Sequence, residues 1–117
     1  MVELGVFLPV LNNGWVVSTA APQYHPTYAM NKAMTLLAED LGFSFVLSPV
    51  KYRGFGGPTE HWDYALESFE VMAALAEATD RIRLYPRFRT THVSLSNFWV
   101  PIQSLCTGGD YATLVPP

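Results

Sequence analysis

The stretch VKYRGFGGPTEHW, residues 50–62, places two cations, Lys51 and Arg53, beside three glycines, Gly54, Gly56 and Gly57, and ends on His61 and Trp62. Glycines without a Cβ let backbone N–H groups approach an anion, and the two cations would add charge at the same place. The spacing matches neither a dinucleotide fingerprint nor a GxxxxGK phosphate loop. The residues alone therefore leave two readings open, an anion-binding loop and a plain surface turn. Asn12, Asn13, Gly14 and Trp15 form a second cluster that could hydrogen-bond to and stack on a planar ligand. Asn and Gly also simply make turns. His25, His61 and His92 lie far apart with no HxH or HxxxH spacing, which argues for solvated or core histidines and against zinc. Trp62, Tyr64 and Phe69 read as packing, and neither Ser18 nor Ser68 has an acid and base placed to activate it.

Composition limits what such clusters can serve. A chain of 117 residues is one domain at most, and 50% hydrophobic with 15% charged residues is a globular balance. A net charge of -3 without a basic run excludes a general nucleic-acid binder and a docking site for anionic membranes. A small-molecule partner remains. The single Cys106 allows neither an internal disulfide nor a metal framework, which points to a reducing compartment, the cytoplasm. Glu3 stands where a signal peptide would be basic, and no run approaches the ~20 apolar residues of a membrane span.

The elements that must position the two clusters follow from periodicity. LGVFLPV, residues 4–10, is short, apolar and β-prone, and reads as a strand buried on both faces. Thr27 is the expected N-cap of a helix with Met30, Ala33, Met34, Leu37, Ala38 and Leu41 on its inner stripe, closed by Gly42. FSFVLS, residues 43–48, is the second strand. Asp63 is the expected cap of a second helix packing through Leu66, Phe69, Met72, Ala73 and Ala76. RIRLY, residues 81–85, is the third strand. The order βαβαβ with short joints predicts a parallel sheet with right-handed crossovers. Ligands of such sheets gather at the carboxyl ends of the strands, where both clusters fall.

Taken in order, GVFLPVLNNGW, STAAPQYHPTY, NKA, FVLSPVKYRGFGGPTEHWDYALESFEVMAALA and TDRIRLYP resemble the start of the RutA-type pyrimidine monooxygenases, within the bacterial luciferase-like flavin monooxygenases. The likeness is dense over residues 3–86. It implies the first strands of a TIM (β/α)8 barrel whose chemistry lies at the carboxyl face. It also implies an enzyme that takes reduced FMN from a separate NADH-dependent reductase and uses O2 to open a uracil or thymine ring to a ureidoacrylate. By position, the family's first flavin contact falls on Val50 and Lys51. Asn12, Asn13, Gly14 and Trp15 match a motif at the mouth of the first strand and would shape the flavin or pyrimidine pocket.

The family's remaining flavin contacts, an Asn, an acid, an Arg-Tyr pair and a Ser, come from later strands. Residues 87–117 show no helical stripe and do not resemble the family's continuation, so the expected division is a barrel part over 1–86 and a divergent tail over 87–117. An incomplete, inactive N-terminal piece is the expectation, with self-association through an open sheet edge. The alternative is a small non-enzymatic α/β protein derived from that family.

Overall fold

A computed structural model of the chain describes residues 1–51 and 53–87. Three short strands, β1 (Gly5–Phe7), β2 (Phe45–Leu47) and β3 (Arg83–Tyr85), form one parallel sheet in the order β1-β2-β3. Val6, Val46 and Leu84 stand in register across it. Helix α1 (Tyr28–Asp40) connects β1 to β2, and α2 (Ser68–Ala78) connects β2 to β3. This is the expected parallel βαβαβ unit.

The strands are shorter than the apolar runs suggest. After Phe7, Leu8 N–H still reaches the Leu47 carbonyl at 2.9 Å, and Pro9, having no N–H, then ends the ladder. The expectation that the first strand is buried on both faces is corrected. Alternation places Val6, Val46 and Leu84 on the helix-covered face, where they join the core. Phe7, Leu47 and Tyr85 share the other face, and Phe7 and Tyr85 are exposed there. Phe45 lies on that face too, edge-on to Tyr85, and its ring fills the space a Cβ on Gly5 would need. The core itself gathers where the strands end: Leu8, Val10, Leu11, Val46 and Ile82 against Ala38, Val71, Met72 and Leu75.

Helix α1 begins as expected, with the Thr27 hydroxyl accepting from Met30 N–H, and ends at Gly42, whose φ of +81° suits glycine. Its inner stripe is corrected in part. Ala38 is buried as expected and Met30 is half-buried, but Asn31 and Thr35 are buried on that side while Met34, Leu37 and Leu41 are exposed. Asn31 Nδ2 donates to the Pro9 and Thr27 carbonyls, and the Thr35 hydroxyl donates to the Asn31 carbonyl at 2.8 Å.

Helix α2 is capped by Glu67, not by Asp63. The Glu67 carboxylate accepts from the N–H groups of Phe69 and Glu70 at 2.6 and 3.0 Å. Asp63 is occupied elsewhere, and residues 63–66 run extended, with Leu66 N–H on the Val10 carbonyl. The buried face accordingly is Ser68, Val71, Met72 and Leu75; of the expected stripe Met72 is buried, Leu66 packs at the core margin, and Ala76 faces solvent. The expected tail, apart from Arg87, lies outside the described residues, as do Cys106 and His92.

Candidate functional site

The loops that leave the carboxyl ends of β1 and β2 are joined to each other before either reaches its helix. Asn12 donates its amide N–H to the Glu60 carbonyl at 2.8 Å and accepts the Tyr64 N–H on its Oδ1 at 3.1 Å, while its own backbone N–H meets the Tyr64 carbonyl. Asn13 repeats the arrangement one residue on. Its amide donates to the Thr59 carbonyl at 2.6 Å and its Oδ1 accepts from Tyr24 N–H at 2.8 Å. Both side chains are buried and fully engaged, so they fix the shape of the mouth by holding three stretches of backbone together. A polar hollow of about 270 Å³ lies beside them, with Gln23, His25 and Glu60 among its walls.

The glycine-rich turn is closed by its own acid. Gly56 N–H donates to the Asp63 carboxylate at 3.1 Å, and Phe55 and His61 exchange backbone hydrogen bonds with each other's strand across Gly56 and Gly57. A Cβ on Gly54 would meet Asp63 and the Trp62 backbone within 2.5 Å, so that glycine is required by packing. Of the two readings of GFGG, these contacts favour the turn, and what the turn presents to the strand ends is aromatic.

Phe55, His61 and Trp62 form a cluster of rings, with His61 stacked on Trp62 at 5.1 Å and on Phe55 at 6.0 Å, and Phe55 tilted against Trp62 at 5.7 Å between centroids. Trp15 meets Trp62 edge-on at 5.1 Å and Phe7 edge-on at 6.0 Å, carrying the cluster back to β1. Trp62 adopts a left-handed φ of +60°, unfavourable for a bulky residue, and its indole N–H donates to the Gly14 carbonyl at 2.6 Å. The Lys51 ammonium stands 3.3 Å from the centroid of Phe55 and 5.2 Å from that of Trp62, well within cation–π range. His61 is buried between these rings, and its Nδ1 has no hydrogen-bond partner among the described residues.

Between these rings and the start of α1 is a cleft of about 190 Å³, walled by Phe7, Leu8, Trp15, Tyr24, Met34 and Trp62. Of the residues expected at the site, Gly14 and Trp15 line the cleft, Asn12 and Asn13 hold its frame, Lys51 stands beside its Trp62 wall, and Val50 is half-buried at the end of β2. Trp62, read from the sequence as packing, lines the cleft, and Phe55, in the glycine turn, stands outside it against Lys51. The available signal was the aromatic pair flanking the Gly-Gly-Pro turn. Ser68, by contrast, is structural: its hydroxyl bonds that of Ser48 and accepts from Arg87 N–H.

The luciferase-like monooxygenase family model matches residues 2–94. The chain is 59% identical over 83 residues to the pyrimidine monooxygenase RutA of Agrobacterium fabrum, covering 71% of this chain and 23% of that protein. It is 56% identical over 85 residues to the RutA of Escherichia coli O7:K1, covering 73% of this chain and 26% of that protein. The chain thus spans about a quarter of the length of the curated relatives it matches. The family match, over most of the chain, leads to one assignment: the chain belongs to the luciferase-like monooxygenase family.

Proposed function

We propose that these residues are the amino-terminal wall of an FMN-dependent pyrimidine monooxygenase site, in which reduced FMN from an NADH-dependent reductase and O2 open a uracil or thymine ring to a ureidoacrylate. The observation that carries this reading is the aromatic cleft at the carboxyl ends of β1 and β2 with the Lys51 ammonium at its side. The residues suit a flavin chemically: flat apolar walls for a fused ring and one cation for an electron-rich one. FMN when bound supplies the electrons and the oxygen chemistry, which no side chain here offers.

The chain's own groups have simpler tasks. Lys51 places positive charge against the ring. Trp15 and Trp62 keep water from one side of the cleft, and Val50 continues the apolar floor from β2. Asn12 and Asn13 hold the loops that carry these side chains. Binding pockets for cofactor-sized molecules run to roughly 300–1,000 Å³, whereas this cleft is about 190 Å³. It receives part of a flavin, and this supports the second reading, that the chain alone keeps the shape without turnover.

The reading is tested by exchanging residues 1–86 into the corresponding region of the A. fabrum relative. The chimera should open uracil in the presence of FMN, NADH, O2 and a flavin reductase. A well-folded chimera that binds FMN but leaves uracil intact would refute the pyrimidine assignment.

A further inference from the structure

We propose that Phe55 and Trp62 are positioning residues that hold the Lys51 ammonium at the cleft, and that the NNGW loop acts on the same cation through the Gly14 carbonyl. The inference rests on the reading of the cleft as the receiving surface for an electron-rich planar ring. An ammonium on a four-carbon stem is otherwise free to turn into water, and its rotamer freedom would have to be given up on binding a ligand. Here its place is already defined by two ring faces, at 3.3 and 5.2 Å. The nearer ring, Phe55, is 67% exposed, so it contributes little to the core, and its contacts with His61 and Trp62 hold it under the ammonium.

Trp62 is fixed from four directions: by its indole hydrogen bond to Gly14, by the stack on His61, by the edge of Trp15, and by a backbone locked between the Gly56–Gly57 turn and Asp63. Gly14 has a φ of +59°, and a Cβ there would come within 3.2 Å of the Tyr24 hydroxyl. A residue other than glycine would be strained at this φ and would press on the Tyr24 side chain, next to the carbonyl that orients Trp62. The chain of contacts Gly14 to Trp62 to Lys51 gives the first loop an effect on the cation of the second without touching a ligand.

The test uses the full chain with ¹³C-labelled lysine, which contains two lysines, Lys51 and the exposed Lys32 of α1. Ring currents should move the Lys51 ε-methylene signal upfield of that of Lys32. Phe55→Leu should return it toward the Lys32 position, Phe55→Tyr should retain it, and Trp62→Phe, which keeps a ring but removes the indole N–H, should reduce the displacement. In an anaerobic titration with reduced FMN, Phe55→Leu should weaken binding by about fivefold, the size of one exposed cation–π contact, and have no further effect once Lys51→Met is present. A wild-type Lys51 signal coincident with Lys32, or one unmoved by Phe55→Leu, overturns the proposal, as does additive weakening in the Lys51→Met background. If reduced FMN binds no form of the chain, the cleft reading fails and the proposal falls with it, even where the lysine spectrum shows the cation held by the rings.

Discussion

The indole N–H of Trp62 reaches the carbonyl oxygen of Gly14 at 2.6 Å, joining two loops whose residues are 48 positions apart. With the Asn12 and Asn13 side chains, that bond makes the mouths of β1 and β2 one unit. Shape at the cleft is thus set by hydrogen bonds to backbone, and a ligand would meet a surface already assembled.

Asn12 should be the most sensitive of these residues. It is buried, donates to Glu60 and accepts from Tyr64, so Asn12→Ala leaves two backbone groups without partners and should cost about 2–3 kcal/mol. Asn12→Asp, which keeps the acceptor but loses the donor, should also destabilise. Urea unfolding followed by far-UV circular dichroism checks both; wild-type stability in Asn12→Ala would show that the staple is dispensable.

Glu39 ties the end of α1 to the start of β3, its carboxylate accepting from the N–H groups of Ile82, Arg81 and Asp80. Those backbone donors, Ile82 first, hold its pKa below the ordinary 4.5. A carboxyl depressed in the folded state adds stability above its unfolded pKa and loses it as pH falls through the folded value. Glu39→Gln should therefore lower stability near pH 7 by about 1 kcal/mol, a modest figure because the group is near solvent, and the difference from wild type should vanish in acid. A difference that persists unchanged at pH 3 contradicts this account.

The outward stripe of α1 should drive self-association. Leu37 and Leu41 are 58% and 67% exposed, with Met34 beside them, and β1 and β3 each have one unpaired edge among the described residues. Light scattering should show concentration-dependent oligomers, and Leu37→Glu with Leu41→Lys should shift them toward monomer while changing stability by no more than about 0.5 kcal/mol per surface substitution. A monomer at all concentrations would contradict it.

The element order and the placing of both loops at strand ends were legible in the sequence, because alternation between β-prone runs and helical periods survives in a short chain. Thr27 and Gly42 announced their caps through chemistry confined to a few residues. What stayed hidden depended on distant partners. Nothing local marks Asn31 as part of the inner face of α1, since the demand comes from the Pro9 carbonyl, 22 positions away. Asp63 looked like a cap because its engagement by Gly56 is set by the turn between them. The role of Phe55 and Trp62 appears only when Lys51 is placed over their rings.

The chain by itself should not convert uracil. The ends of β1 and β2 frame a cleft smaller than the cofactor it would receive, so reacting groups cannot be enclosed from water. Incubation with uracil, FMN, NADH, O2 and a reductase should yield no ureidoacrylate above a protein-free control, and product above that control would show a site complete without further strands.

Binding of reduced FMN to the purified chain, measured anaerobically by fluorescence titration beside Lys51→Met, tests the central claim most directly. Saturable binding that weakens about five- to tenfold when the Lys51 charge is removed is the predicted result. Equal affinity in the two proteins, or none in the wild type, would contradict the assignment of this cleft to a flavin.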